Sequence, residues 1–425
     1  MQKGYTMKLI HPSNVNGILT APSSKSVMIR AVASSILAEG VSHLANPSFC
    51  TDSLAALGIA RTLGAGVETG KDVVSIKGAG GFTGNGLEDD TIHCGESGLC
   101  MRMFTPIAGL SGRRFIIQGS GSLCSRPMIM LETISLMGAR CTTNRGYPPV
   151  VIEGPIEGGA ISVDGSESSQ FLTGLLMAAP LCRNDSRIDV VHLKSRPYVL
   201  MTIDILKLFG ITIDHSTDLT SFNIKGNQRY KAQSLAIEGD WSGAAFLLVA
   251  GAIAGSVEVK GLRTDSFQAD KAILDGLTRA GAIVETKDNH ILVKRNELHA
   301  FEFDAEDCPD LVPPLAALAA HCTGKSVIYG IERLKHKESN RALTLASEFS
   351  KLAVRVELLP DRMEIYGTIP AGNSVDSHND HRIAMACAVT ALGGSGPVTI
   401  ERSGSVAKSY PRFFEDLDSI KAVSL

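Results

Sequence analysis

Paired cysteines are missing from this chain. Its nine cysteines are scattered with no CxxC spacing, and a chain of 425 residues buries a large core without disulfide staples. Reduced thiols and a cytoplasmic location are the expectation. A long apolar run is missing too. The longest, Ala244 to Ala254, is too short to cross a bilayer and reads as a buried core helix. The opening MQKGYTMKLIHP has neither an apolar stretch nor a small-residue cleavage site, so no signal peptide is expected. Charge of one sign is also lacking. With 41 Lys and Arg against 44 Asp and Glu the net charge is −3, which excludes a global field that draws the chain to nucleic acid or membrane. Any anion site must be built locally. There is no GxxxxGK(S/T) loop and no GxGxxG at a strand–helix turn. His378 and His381 flank Asp380, but a third ligand is wanting, so no metal site is expected there. Cys100, Cys124 and Cys308 lie in or beside polar loops without a nucleophile's signature and read as small packing residues.

What the chain does have is repetition. A polar loop opens an apolar helical run, a turn leads to a β-branched strand, and a second polar loop opens an amphipathic helix that feeds another strand. SSKSVMIRAVASSILAEG, VSHLANPS and TDSLAALGIARTLGAGVE make the first copy. The other five begin at GESGLCMRMF, GSESSQFLTG, GDWSGAAFLL, EDCPDLVPPL and HNDHRIAMAC. Helical periodicity with Ser, Asp or Asn at the starts, and Val/Ile runs bounded by Gly and Ser, give each copy as β-α-β-α-β with room for one extra strand. One such unit cannot bury its apolar helices alone. Six packed as two groups of three predict an α/β protein of two pseudo-symmetric domains, divided between Lys231 and Leu235, with a cleft between them as the site.

The polar loops concentrate cations. Lys25, Arg30, Arg102, Arg126, Lys337, Arg341, Arg382 and Lys408 all fall near expected helix starts. There a cation opposes the helix dipole at a cost of up to roughly 1 kcal/mol each, unless an anion binds. Hydroxyls and amides accompany them: Ser24, Ser26, Ser168, Ser169, Gln170, Ser195 and Tyr198. Arg forks grip carboxylate and phosphate, so the pattern points to a polyanion site. Asp310, after Pro309 at a helix start, and Glu338, between Lys337 and Arg341, are the candidate acid/base pair.

These loops, in order, resemble one family. Ala21-Pro22-Ser23-Ser24-Lys25-Ser26 with Arg30, the Ser-Ser-Gln loop within 164–173, Ser195-Arg196-Pro197-Tyr198, Pro309-Asp310, Lys337 to Arg341, Asn379 to Arg382 and Lys408 follow the pattern of the 3-phosphoshikimate 1-carboxyvinyltransferases, or EPSP synthases. The likeness runs from about Gly17 to Phe414. It implies the enolpyruvyl transferase fold, with three β-α-β-α-β-β units per domain. The domains would be 22–234, and 1–21 with 235–425, because the chain's first strand joins the second domain. It implies transfer of the enolpyruvyl group of phosphoenolpyruvate to the 5-hydroxyl of shikimate 3-phosphate, without cofactor. No obvious partner-binding segment stands out in the sequence, so a monomer is the default expectation.

By the same resemblance Lys25, Ser26, Arg30, Ser168, Ser169, Gln170, Ser195, Tyr198, Asp310, Arg333 and Lys337 would bind shikimate 3-phosphate. Lys25, Gly98, Arg126, Gln170, Arg341, Arg382 and Lys408 would bind phosphoenolpyruvate. Asp310 would take the hydroxyl proton, Glu338 would protonate the methylene carbon, and Lys25 would act beside both substrates. Three departures stand out. The family's Gly-Asn-Ala-Gly-Thr loop is Gly95-Glu96-Ser97-Gly98-Leu99 here, Ser23 replaces a Gly, and Arg333 stands at a usual Asn. Glu96 is expected to place an anion where phosphoenolpyruvate should lie, altering affinity and the response to glyphosate. Rival readings are the sister transferase acting on UDP-N-acetylglucosamine and a non-catalytic anion-binding scaffold of the same fold. Cys124, two residues before Arg126 rather than five, argues against the sister enzyme.

Overall fold

The computed structural model describes residues 6–80, 89–166 and 168–422. The first five residues of the expected 1–21 segment, and Glu167 of the 164–173 loop, lie outside them. The chain divides into two compact units, Ser23–Ile237 on one side and Met1–Pro22 with Glu238–Leu425 on the other.

In the unit Ser23–Ile237 three four-stranded sheets share one plan: a parallel pair, then two antiparallel strands. Gly159–Asp164 runs parallel to Ser186–Val191, which continues antiparallel through Ser221–Ile224 to Asp214–His215. Thr91–His93, Arg114–Gln118, Tyr147–Glu153 and Arg140–Asn144 repeat the order. The remaining sheet takes its parallel strand from the far end of the unit. Ser234–Ala236 lies beside Val41–Ala45, with Val73–Lys77 and Gly66–Thr69 beyond.

The second unit follows the same plan with the exchange reversed. Val15–Thr20, from the start of the chain, is the parallel partner of Gly255–Lys260, followed by His290–Lys294 and Ile283–Lys287. Glu302–Asp304, Lys325–Tyr329, Arg362–Tyr366 and Arg355–Leu359 form the next sheet. The last has three strands, Ser374–Asp376 parallel to Val398–Glu401, with Met7–Ile10 antiparallel on its other side. The extra strand anticipated in each repeat is therefore present in five sheets as the second antiparallel strand.

Three helices fill the middle of each unit. Lys25–Leu37, Gly98–Ala108 and Gln170–Ala178 are buried along nearly their whole length, as are Trp241–Ala254, Val312–Ala319 and His381–Leu392. A helix apolar on all sides has no solvent face to offer, so it must take the centre. The amphipathic helices Thr51–Thr62, Arg196–Leu208 and Arg341–Lys351 lie outside, with polar residues turned to water. The expected helix after Arg126 is instead a 3-10 helix, Ile129–Met137. Thr133 Oγ1 donates to the Met130 carbonyl three residues back, a spacing that suits the tighter winding. No helix among the described residues is long and apolar enough to cross a membrane.

Candidate functional site

Most inner helices start on a side-chain cap. Ser24 accepts from the Val27 amide, Ser97 from Cys100, Asp240 from Ser242 and Asp380 from Arg382. Of the cations predicted at helix starts, Lys25 and Arg30 follow the Ser24 cap, Arg102 the Ser97 cap, Arg382 the Asp380 cap and Arg341 the Asn340 cap, whereas Arg126, Lys337 and Lys408 stand at the C-terminal ends of 3-10 helices. Lys408 ends the 3-10 helix Ser403–Lys408. There a cation suits the dipole, and its Nζ donates to the Asn379 carbonyl at 2.7 Å.

In the unit Ser23–Ile237 the polar network is continuous. Arg30 is 2% exposed. Its guanidinium donates to Thr202 Oγ1 at 2.9 Å, the Ser26 carbonyl at 3.0 Å, Thr173 Oγ1 at 3.3 Å and the Tyr198 carbonyl at 3.5 Å. It thereby ties together the starts of three helices. All four acceptors are uncharged, and burial pulls its pKa down to about 10, against a small upward pull from Tyr198. A buried guanidinium held by neutral oxygens leaves its charge uncompensated, a setting that favours an incoming carboxylate.

Nearby, Ser168 Oγ accepts from the Gln170 amide at 3.1 Å, Ser169 is buried, and Ser195 sits at φ +56° ahead of Arg196–Leu208. Lys25 pairs with Asp52 at 3.0 Å, a partner the sequence reading missed although Asp52 opens the next helix of the same repeat. The Cys100 thiol donates to the Asp52 carbonyl at 3.7 Å, which carries the network on to the helix Gly98–Ala108.

Arg102 and Arg126 come together around Gly98. Arg102 donates to Gln170 Oε1 at 2.9 Å and to the Pro127 carbonyl at 3.0 Å. A Cβ on Gly98 would stand 3.0 Å from Arg102 Nη1 and 3.1 Å from Arg126 Nη1. The missing side chain is thus the space in front of two guanidinium groups, an arrangement that can grip a small oxyanion. Gly98→Ala is expected to weaken inorganic phosphate binding by roughly tenfold through this crowding. The melting temperature should hold, because helical Ala is favoured over Gly. Titration calorimetry beside a thermal melt reads both, and unchanged affinity refutes it.

In the second unit the charges are densest. Arg341, 1% exposed, donates through Nη1 to Asp310 Oδ1 at 2.7 Å, through Nε to the fully buried Asp380 at 2.8 Å, and through Nη2 to Glu338. Arg382 donates to Asp310 Oδ2 at 3.0 Å, and Lys337 Nζ lies 3.5 Å from Asp310 Oδ1. Burial works to raise Asp310, but Arg382, Lys337 and Arg341 outweigh it and hold the carboxyl well below the usual range. Burial lowers Lys337 to about 8 against the pull of Asp310. Arg333, predicted in the same site, donates to the Glu306 carbonyl at 3.3 Å, and its charge adds to the lowering of Lys337.

Asp270 was not anticipated from sequence. It is fully buried, accepts from the Ser242 hydroxyl, and has no hydrogen-bond partner on Oδ1. Burial, helped by the charge of Asp310 and opposed by Arg382, lifts it to about 6. Between pH 4 and 6 the folded chain keeps this proton while the unfolded chain has lost it, so the group's effect is to lower stability as pH rises through that window. Asp270→Asn is expected to gain on the parent by on the order of 2 kcal/mol between pH 4 and 7 in urea unfolding. A gap independent of pH contradicts the assignment.

Lobes of parallel-then-antiparallel sheets around buried helices, with cations and carboxylates at the helix starts, define the enolpyruvyl transferase class. The chain matches the solved EPSP synthase of Acinetobacter baumannii with TM-score 0.81 and 26% identity, covering 98% of each chain. It shares its fold with the enolpyruvyl transferase NikO of Streptomyces tendae, at TM-score 0.78 and 16% identity over 98% of each. The profile of the EPSP synthase (3-phosphoshikimate 1-carboxyvinyltransferase) family matches residues 10–417. A 3-phosphoshikimate 1-carboxyvinyltransferase of Clostridium novyi is 37% identical over 426 residues, 97% of each chain. The chain belongs to the EPSP synthase family.

Proposed function

We propose that this chain moves the enolpyruvyl group of phosphoenolpyruvate to the 5-hydroxyl of shikimate 3-phosphate, releasing phosphate. The observation that carries the reading is the cluster in which Asp310 and Glu338 share Arg341, with Arg382 and Lys337 also on Asp310. It supplies two proton-transfer groups and the cations a carboxylate-bearing phosphorylated substrate needs. Arg30 receives the carboxylate of shikimate 3-phosphate. Ser168, Ser169 and Ser195 take its phosphate, and Ser26, Gln170, Tyr198, Lys337 and Arg333 complete its surroundings. Arg126, Lys408 and the Gly98 backbone take the phosphate of phosphoenolpyruvate, Arg341 and Arg382 its carboxylate, and Lys25 lies beside both substrates.

Glu338 protonates the methylene carbon, which leaves the adjacent carbon electrophilic. The 5-hydroxyl attacks that carbon and gives its proton to Asp310. The tetrahedral intermediate then loses phosphate as a methyl proton returns to Glu338, restoring the double bond. Fixed cations stabilise charge that develops on the leaving group. An incoming carboxylate competes with Asp310 for Arg341 and Arg382, so docking relaxes the hold that keeps Asp310 acidic and raises its proton affinity.

The nine free thiols support a reducing, cytoplasmic setting. The test is phosphate release on mixing the purified chain with both substrates, with the enolpyruvyl product identified by mass. Release from phosphoenolpyruvate alone, or only with another acceptor, sinks the reading. Activity should fall as pH rises through about 8, where Lys337 loses its charge, and Lys337→Arg should move that limb upward. A limb left in place excludes Lys337 as its source.

A further inference from the structure

Glu96 stands one residue before the Ser97 cap of Gly98–Ala108. Its Oε2 accepts from the Ser122 amide at 3.1 Å and from the Ser122 hydroxyl at 3.0 Å. It therefore turns towards the loop at 120–122. The two loops are stitched together, since the Ser120 amide donates to the Gly95 carbonyl at 2.7 Å. Gly121, at φ +53°, closes over the carboxylate, because a Cβ there would come within 2.5 Å of Glu96 Cδ. The Ser122 hydroxyl has one proton, and Glu96 can only accept. That proton points to Glu96, which leaves an oxygen lone pair facing outward. Arg126 Nη2 donates to that lone pair at 3.0 Å. Arg126 is buried, with its Nη1 beside Gly98.

We infer that Glu96 is a positioning residue: it orients Ser122 so that Ser122 holds Arg126 across the oxyanion position at Gly98, and its negative charge moderates the pull of that position on a phosphate dianion. The inference rests on the reading that Arg126 takes the phosphate of phosphoenolpyruvate. A site that binds a phosphate ester and must release free phosphate gains turnover from such restraint. Unrestrained, two guanidinium groups would keep the product. The Ser122 hydroxyl bridges the carboxylate and Arg126 Nη2, 3.0 Å from each.

Two substitutions separate geometry from charge. Glu96→Gln keeps an acceptor for Ser122 and removes the charge. Ser122→Ala keeps the charge and removes the acceptor of Arg126. With inorganic phosphate as the probe, titrated into the full chain, Glu96→Gln is expected to tighten binding by about fivefold. In steady-state assays it should lower KM for phosphoenolpyruvate, strengthen product inhibition by phosphate, and lower kcat. Ser122→Ala is expected to raise that KM by about fivefold with a smaller change in kcat. Phosphate binding that is unchanged or weaker in Glu96→Gln overturns the charge role, and an unchanged KM in Ser122→Ala overturns the relay. A shift in melting temperature alone, with all constants kept, assigns Glu96 a merely structural part and also overturns it. Arg126→Lys, measured alongside, tests the underlying reading. If it alters phosphate binding while Glu96→Gln does not, only this inference fails; if it alters nothing, the reading of Arg126 fails.

Discussion

Arg341→Met is expected to destabilise the chain by about 3–5 kcal/mol, read as a lowered urea midpoint at pH 7. The substitution keeps most of the side chain's volume and removes a charge that three carboxylates share. Asp380 suffers most. It is fully buried, and without Arg341 it keeps the Arg382 amide at 3.0 Å and the Ser339 hydroxyl at 3.1 Å but, among the described residues, no cation in hydrogen-bonding contact through its side chain. Lone ionised carboxylates are costly inside a protein, whereas a well-packed apolar side chain is not. The deficit has a pH signature. Asp310 is depressed in the folded parent, so its contribution is present above the ordinary carboxylate range and is lost as pH falls towards the folded value. With Arg341 gone that depression shrinks and the acids protonate more readily. The gap between variant and parent should therefore close as the solution is acidified. A cost below about 1 kcal/mol at pH 7 means that the carboxylates find other partners, and refutes the account.

Removing the proton-transfer groups should spare the fold and remove the chemistry. Asp310→Asn keeps an acceptor for Arg382 but cannot take a proton, and Glu338→Gln cannot give one. Each is expected to lower kcat by about 10²- to 10⁴-fold, with smaller changes in KM. The two should not be additive, because both carboxylates lean on Arg341. Single-turnover measurement sharpens the comparison. If either variant forms product at the parental rate and only releases it slowly, that residue has no part in proton transfer.

Much of this site was legible because its cations and hydroxyls lie at helix starts, and starts are written locally. Lys25, Arg341 and Arg382 could be placed from a capping residue and the apolar periodicity that follows it. What could not be read was which start faces which. Asp52 reaches Lys25 across 27 residues and Thr202 reaches Arg30 across 172, and no local pattern encodes either pairing. Asp270 was missed because an acid in a helical first turn looks like an ordinary dipole partner; its cost appears only once burial is known. Glu96 was read as an obstruction because the sequence gives its address but not its direction, which Gly121 and Ser122 decide. The six repeats were visible as pattern, the exchange of the chain's first strand into the second unit was implied only by the family likeness, and the return of Ser234–Ala236 to the first unit was not foreseen.

That exchange bears on how the chain is made. Residues 23–237 form a continuous insert inside the other unit, so on a ribosome the insert can complete itself as soon as Ser234–Ala236 emerges. The host cannot. Met7–Ile10 and Val15–Thr20 leave the exit tunnel well before their sheet partners, which lie at Val398–Glu401 and Gly255–Lys260. At roughly 5–20 residues per second the earliest strand waits on the order of 20–80 s for its neighbour. Its exposed hydrogen-bonding edge is unprotected through that interval. Nascent-chain aggregation in this protein should therefore trace to the strands Met7–Ile10 and Val15–Thr20, and a permuted gene that opens at residue 238 and places residues 1–237 after residue 425 would shorten the wait.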